Sequence, residues 1–318
     1  MMVNKRQSTG VVAALSSALF LGLAPVFGRW AILNGFSPLA VVTLRTGMAA
    51  VMLLVIIALF RPKYLYIFPV GLMGCILAGA INGLGSLLYY MALGDLPASL
   101  GQLLYALYPL FVAVFSILDK QSLSRLTIIR VMMAAVAVFL LTTNDGGLHV
   151  PLRAIVMMIG AAALYALHIP INQRVLYEIP APTVTVYTLL AMTVVTIPFY
   201  LLFDRQWPAA NVSWWPLIGL TIVTFISRLT LFLGVKNIGG TQTAILGLGE
   251  LFITIALSYY VLAEVLTPLQ ILGAGILGLS LIMVSLENHD PHKRHPKGGW
   301  LAWIHPPEIS PTPWSLPD

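Results

Sequence analysis

The residues best suited to chemistry are charged side chains inside long apolar runs. Glu250 lies in the run 240–262, and Arg228 lies in the run 214–236 before it. A carboxylate buried at such depth must be paired or protonated. Both residues are about 16 Å of helix from the turn near Ile238, so we predict that they form an ion pair. That pair either exchanges protons or opens for a charged substrate group, or it only locks two helices together.

Arg45 is another charge that stands deep in an apolar run, positions 37–60. It lies about 14 Å from the turn that begins this run. Its planar guanidinium matches a carboxylate or a phosphate, and no acid in the first half of the chain stands at the same depth. Two interpretations stay open: Arg45 contacts an anionic substrate group in a wet cavity, or neighbouring helix ends satisfy it as a structural arginine.

Amide, imidazole and aromatic side chains in the same runs are further candidates for contacts with a substrate. Asn82 lies among glycines, where helices can approach closely, and His168 is a candidate pH-responsive group or hydrogen-bond donor. An aromatic-lined cavity suits amino acids or planar organic molecules. Each residue is equally compatible with packing, with a hydrogen bond between helices or with an interfacial aromatic belt. The candidates for the substrate site or pathway are Arg45, Asn82, Tyr89, Tyr90, Tyr105, His168 and Gln242.

Pro25 and Pro170 are candidate hinges, because proline inside a helix frees a backbone carbonyl and kinks the chain. Small residues spaced by four, Gly79-x-x-x-Gly83 and Ala274-x-x-x-Gly278, predict close contacts between helices.

No metal site and no cofactor are predicted. The single cysteine, Cys75, lies in an apolar run, so the chain cannot build a disulfide or a cysteine cage. No P-loop motif occurs in the sequence, which argues against direct ATP hydrolysis. The histidines of the segment 288–318 are separated by prolines, and we interpret this segment as a flexible cytoplasmic tail rich in Pro, Trp and His.

The elements that position these residues follow from the composition. Of the 318 residues, 59% are hydrophobic and 9% are charged, and the mean hydropathy is +0.92. In soluble domains roughly a quarter of the residues are charged, so the composition excludes an ordinary soluble enzyme. About 20 apolar residues span a bilayer. The sequence predicts ten such spans, near 10–33, 37–60, 67–93, 97–118, 124–143, 152–176, 182–203, 214–236, 240–262 and 266–286.

The basic residues predict how these spans are oriented. Twelve Lys and Arg residues fall on the side of the termini, against only Arg153 and Arg205 on the other side. The positive-inside rule therefore places both termini in the cytoplasm, with the protein in the cell membrane. We attribute the net charge of +6 to this topology, not to nucleic-acid binding.

The two halves of the sequence repeat. A shift of about 145 positions aligns residues 18–32 with 163–177 and superposes Pro25 on Pro170. Each half holds five predicted spans, so the second half is inverted relative to the first, an arrangement that puts a substrate site near the membrane midplane. The predicted parts are an N-terminal segment 1–9, a first repeat 10–147, a second repeat 148–287 and the tail 288–318.

Three stretches carry a resemblance to a known family. PLAVVTLR (38–45), PASLGQLLYALYP (97–109) and the long motif that begins LGELFITIALSYY (248–285) resemble the EamA-type branch of the drug/metabolite transporter superfamily. The resemblance covers residues 10–287, although the family often has Glu-Pro where this chain has Glu250-Leu251. It implies a permease or exporter of small metabolites.

The sequence therefore predicts an all-α integral membrane protein of ten transmembrane helices, arranged as two inverted five-helix repeats. It is expected to act as a secondary transporter by alternating access, with the lipid bilayer and a small-molecule substrate as partners and protons as a candidate coupling ion. By resemblance, the substrates are amino acids or related compounds, moved outward. The alternatives are a passive facilitator or channel and, from another class, a membrane-embedded enzyme. The enzyme would need a cluster such as HExxH, which the sequence lacks.

Overall fold

The computed structural model describes residues 2–115, 125–142, 151–205, 207–208, 212–238, 243, 246–247 and 249–285. These residues are almost entirely helical. In chain order the helices are α1 (Met2–Leu33), α2 (Pro38–Phe60), α3 (Pro69–Asp95), α4 (Ala98–Tyr105), α5 (Tyr108–Phe115), α6 (Arg125–Thr142), α7 (Leu152–Glu178), α8 (Ala181–Phe203), α9 (Trp215–Ile238), α10 (Gly249–Leu262) and α11 (Pro268–Ser285).

The helices confirm the predicted membrane character of the chain. In the described part, six of them, α1, α2, α3, α7, α8 and α9, are long and apolar enough to cross a bilayer. The apolar helices in the remaining predicted spans are shorter. Large apolar side chains are exposed along the outer surface, as lipid contact requires; Leu59, Phe139 and Leu202 are examples.

The predicted span 97–118 begins as two short helices, α4 and α5, that are separated at Ala106 and Leu107. Pro109 explains the break, because proline has no N–H group to donate to the Tyr105 carbonyl oxygen four residues earlier, and its ring would clash with that carbonyl in a continuous helix. The break divides the polar residues of this span between two helix segments, with Gln102 on α4 and Tyr108 on α5.

The two halves of the chain pack mainly against each other. Helix α1 packs on α9, and α3 packs in the corresponding way on α7. Helix α2 packs on α8, and α6 on α11. The contact of α1 with α10 has its counterpart in the contact of α4 and α5 with α7. If each helix is replaced by its counterpart in the other half, each major contact between the halves therefore becomes another contact that the structure also contains, or stays the same contact.

Small residues permit one of these contacts. A Cβ atom added at Gly79 would lie 2.6 Å from the Thr188 carbonyl oxygen on α8, and one at Gly83 would lie 3.2 Å from the Val195 Cβ. The predicted close contact at Gly79-x-x-x-Gly83 is confirmed. At the second pattern, a Cβ on Gly278 would meet nothing within 4 Å, so no close approach requires that glycine.

The turn between α3 and α4 is held by side chains from two other helices. Glu264, just after α10, accepts hydrogen bonds from the Ala98 and Ser99 backbone N–H groups at 2.8 and 2.9 Å, and from the Ser99 hydroxyl at 2.8 Å. Arg29 of α1 donates to the carbonyl oxygens of Leu93 and Gly94 at 2.8 and 2.7 Å. We call this end of the bundle the α3–α4 end.

The backbone after α10 turns sharply to place Glu264. Ala263 has a φ of 53°, in the left-handed region that non-glycine residues rarely adopt. The Glu264 N–H group then closes the helix by donating to the Ser258 carbonyl oxygen at 3.2 Å. This turn directs the Glu264 carboxylate back toward the N-terminus of α4.

Candidate functional site

Arg45 is buried between three helices and is satisfied mainly by hydroxyl groups. Its two terminal nitrogens donate to Thr224 Oγ1 on α9 at 3.1 Å and to Ser86 Oγ on α3 at 3.4 Å. The guanidinium carbon lies 4.5 Å from the centre of the Tyr90 ring, a cation–π distance. The remaining nitrogen, Nε, is buried without a hydrogen-bond partner in the described part of the chain.

Arg228 repeats this arrangement one helical turn away. It follows Thr224 by four residues on α9, and its partner Asn82 precedes Ser86 by four residues on α3. With the Asn82 amide turned so that its oxygen faces the guanidinium, that oxygen accepts hydrogen bonds at 2.7 and 2.9 Å. We call the set that bridges these helices the guanidinium site: Arg45, Asn82, Ser86, Thr224 and Arg228.

The predicted ion pair between Arg228 and Glu250 is not formed. Among the residues that the structure describes, neither side chain makes a salt bridge, and Glu250 instead accepts a hydrogen bond from Gln102 Nε2 at 3.2 Å. Gln102 in turn accepts one from the Tyr89 hydroxyl at 3.4 Å. The sequence gives the depth of each residue along its helix, but the rotation of the helix decides which neighbour a side chain faces.

A cluster of tyrosines connects the guanidinium site with Glu250. Tyr89 packs against both Tyr90 and Tyr105, with ring centres 5.2 and 4.9 Å apart. Tyr105 and Tyr108 each pack against Tyr165, at 5.2 and 5.0 Å. The Arg228 guanidinium lies 6.0 Å from the Tyr165 ring centre. The structure thus brings the predicted residues Tyr89, Tyr90 and Tyr105 into one cluster.

A cavity of about 30 Å³ lies beside this cluster. This volume counts only the positions that the centre of a water molecule can occupy. That volume holds about two waters. Helices α1, α5, α7, α9 and α10 line it, and we call it the acceptor cavity. Its polar lining consists of Ser17, Tyr108, Tyr165, His168, Asn172, Thr243 and Glu250.

Two polar side chains of the acceptor cavity have buried atoms without partners in the described part of the chain. They are His168 Nε2 and both polar atoms of the Asn172 amide, on residues that are 1% and 2% exposed. His168 Nδ1 lies 2.5 Å from the Tyr165 carbonyl oxygen. Since a carbonyl oxygen only accepts, Nδ1 carries the proton in the neutral ring and Nε2 is an acceptor. Burying such groups unpaired costs about 1–3 kcal/mol each.

Other predicted residues lie as follows. Pro25 and Pro170 are inside α1 and α7, two helices that line the acceptor cavity. Because Pro25 has no N–H group, the carbonyl of the cavity residue Leu21 lacks its usual helical donor. A hinge role of both prolines stays a prediction. Gln242 and the tail 288–318 lie outside the described residues.

Several residues described above were not selected from the sequence: Ser86, Gln102, Tyr165, Asn172, Thr224 and Glu264. Gln102 and Asn172 stood among several amides in apolar runs, and the composition of those runs could not rank them. Asn172 does follow Tyr165 and His168 at helical spacing, a signal that these residues share one face of α7. Glu264 carried no signal, because its contact depends on the unusual backbone of Ala263.

Comparisons with known proteins agree with this architecture. A family model described as the EamA-like transporter family matches residues 8–143 and 152–286, once in each half of the chain. No curated protein matches. A solved structure described only as "Crystal structure of protein" is 17% identical and has a TM-score of 0.63; the match covers 88% of this chain and 97% of that one. At that identity, the likeness concerns the fold alone.

Proposed function

Because the chain belongs to the EamA-like transporter family, a family of membrane transporters for small solutes, we propose that it is a secondary transporter of amino acids or closely related zwitterions. The carrying observation is the separation of buried charge. Two guanidiniums that contact no carboxylate among the described residues lie against the tyrosine cluster, Arg45 at 4.5 Å from the Tyr90 ring centre and Arg228 at 6.0 Å from that of Tyr165. The Glu250 carboxylate, which accepts one hydrogen bond from Gln102 in the described part of the chain, lies in the cavity that Tyr108 and Tyr165 line.

An amino acid has charges that complement this arrangement. Its carboxylate matches the planar donors of Arg45 and Arg228, and its ammonium group matches the Glu250 carboxylate. Buried charges without a counter-ion are costly, so a zwitterion that neutralises both sides gains binding free energy from the protein's own unpaired charges. The rings of the tyrosine cluster offer an apolar surface to a substrate side chain.

We also propose that ten spans form two inverted five-helix repeats, with both termini in the cytoplasm of the cell. The exchange of roles between the halves in the helix contacts supports a two-fold relation within the membrane plane. The basic residues on the terminal side support the orientation.

Alternating access is the mechanism that we propose for this architecture. Glu264 fastens the α3–α4 end across the two halves, and Arg29 adds hydrogen bonds to it within the first half. The acceptor cavity instead includes Ala14 and Val235, residues toward the N-terminal end of α1 and the C-terminal end of α9. In the proposed topology, the α3–α4 end faces the outside and is closed in this arrangement. Bending at Pro25 and Pro170 would open the opposite, cytoplasmic end of the bundle.

Counterflow in proteoliposomes tests the proposed function. Preloaded unlabelled amino acid should drive saturable uptake of the labelled compound, whereas a passive channel would show no counterflow. Arg45→Gln and Arg228→Gln should each lower kcat/KM at least about tenfold, because each removes charge that only this substrate neutralises. Arg205→Gln is the matched control, since Arg205 is exposed and bonds to its own helix. Normal transport by both buried-arginine variants would contradict the proposal.

Proton coupling through Glu250 stays a prediction with a separate test. The groups that face Glu250 are Gln102 on α4, Tyr108 on α5, and Tyr165 and His168 on α7. Transport by Glu250→Gln with the wild-type rate and the wild-type dependence on pH would remove Glu250 as the coupling group.

A further inference from the structure

We propose that the acceptor cavity is a subsite for a primary ammonium group, held by Glu250, His168 Nε2 and Asn172 Oδ1. This inference rests on the proposed function and deepens it, since it assigns one end of the substrate to one set of atoms. The observation behind it is the pair of buried polar side chains, His168 and Asn172, which line this cavity and have polar atoms without a hydrogen-bond partner among the described residues.

The acceptors match the donors of a primary ammonium group. Such a group has three N–H donors and no acceptor. The cavity offers three acceptors to it: a Glu250 oxygen, because Gln102 occupies only Oε1, the His168 Nε2 lone pair, and Asn172 Oδ1. The Asn172 nitrogen remains as a donor for a second polar atom of the same ligand.

The charge of the cavity selects the same ligand. Glu250 is the only acidic side chain in its described lining, and no guanidinium group is part of that lining, although Arg228 lies 6.0 Å from the Tyr165 ring centre. A carboxylate or phosphate would meet acceptors and a like charge.

The size of the cavity further restricts which ammonium compounds can bind. A volume of about 30 Å³ that holds about two waters fits the nitrogen and first carbon of a primary amine. A quaternary ammonium with four methyl groups is too large and has no N–H donor. We therefore expect primary amines to bind, and tetramethylammonium and acetate to be rejected.

Thermal unfolding of the purified protein in nanodiscs tests this inference with methylammonium chloride as the probe. A ligand that binds only the folded state raises the unfolding midpoint by mass action. Methylammonium should give a saturable rise, and tetramethylammonium chloride and sodium acetate at equal ionic strength should not. Glu250→Gln and Asn172→Leu should raise the apparent Kd at least about tenfold. Glu178→Gln, a change of an exposed carboxylate on α7, should keep the wild-type response.

Three outcomes would overturn the inference. Equal stabilisation by acetate or tetramethylammonium would show a salt effect, and an unchanged response in both Glu250→Gln and Asn172→Leu would show that methylammonium binds outside this cavity. The third outcome is amino-acid counterflow without methylammonium binding, which overturns the subsite and leaves the proposed function standing. Methylammonium binding without amino-acid transport would support the subsite and remove amino acids as the substrate.

Discussion

The guanidinium site and the acceptor cavity both adjoin the same tyrosine cluster, and they differ in how their buried polar groups are satisfied. In the guanidinium site, the side-chain oxygen of Asn82 accepts two hydrogen bonds from Arg228. In the acceptor cavity, Asn172 is equally buried, but both its polar atoms lack a partner in the described part of the chain. The same amide is thus a structural contact in one place and an open binding group in the other. Burial alone does not distinguish these roles, whereas the state of the hydrogen bonds does.

The largest effect is expected where the network is complete. Asn82→Leu should lower the free energy of unfolding by about 3–5 kcal/mol, because it leaves the Arg228 charge buried without its two hydrogen bonds. Reversible unfolding in mixed micelles measures this change. Asn82→Asp, which keeps an acceptor and adds a counter-charge, is the matched control and should retain stability. A loss below about 1 kcal/mol in Asn82→Leu would show that Arg228 does not depend on this amide.

A second complete network, at the α3–α4 end, extends the comparison. Glu264→Ala should lower the free energy of unfolding by about 2 kcal/mol, since three hydrogen bonds to a carboxylate are lost, two of them to the first N–H groups of α4. The exposed residue Glu178 provides the control Glu178→Ala, expected to stay within about 0.5 kcal/mol of wild type.

The same change should also open this end of the bundle. In a Cys75→Ala background, Leu96→Cys places a buried reporter beside the network. Its labelling by an impermeant maleimide should rise when Glu264→Ala is added. Unchanged labelling would mean that Glu264 only stabilises the fold and does not control access.

In the acceptor cavity, we expect the same kind of substitution to raise the free energy of unfolding instead of lowering it. Asn172→Leu should raise the free energy of unfolding by about 1–2 kcal/mol, because a side chain of similar size replaces two unpaired polar atoms. Unfolding under the conditions used for Asn82→Leu gives a direct contrast between two identical substitutions. A decrease in stability would break the comparison, since it would show that the Asn172 amide is satisfied in the folded protein.

The smallest expected effect concerns the backbone that places Glu264. Ala263→Gly should raise the free energy of unfolding by less than about 1 kcal/mol, since glycine relieves the left-handed conformation but is more flexible when unfolded. Ala274→Gly, inside α11, should instead lower it by about 1 kcal/mol. A destabilised Ala263→Gly would indicate that the positive φ carries little strain.

The spans could be predicted because lipid contact imposes long apolar runs, which a sequence displays directly. Pro109 shows what that signal leaves out. The apolar run continues through it, although the helix breaks at Ala106 and Leu107. Composition locates a span, but the local geometry of proline decides whether the span is one helix.

The site could be predicted in part. Arg45, Asn82, Tyr105 and His168 stand out because polar groups in lipid are expensive and usually functional. Their partners could not be predicted, because partnership depends on helix rotation and on the register between halves. The equal depths of Arg228 and Glu250 suggested a pair, but the helices direct these side chains to Asn82 and Gln102 instead.

The packing of each half against the other has a consequence for synthesis. Helix α3 has its main partners in α7 and α8, and Asn82 finds Arg228 only on α9. At about 5–20 residues per second, roughly 7 to 30 seconds of elongation separate the end of α3 from the end of α9. During that interval Ser86 and Tyr89 can already contact Arg45 and Gln102 of the first half, but the Asn82 amide and the residues of α3 that pack on the second half lack part of their final neighbours. An insertase or membrane chaperone would have to shelter them until the ribosome delivers the second half.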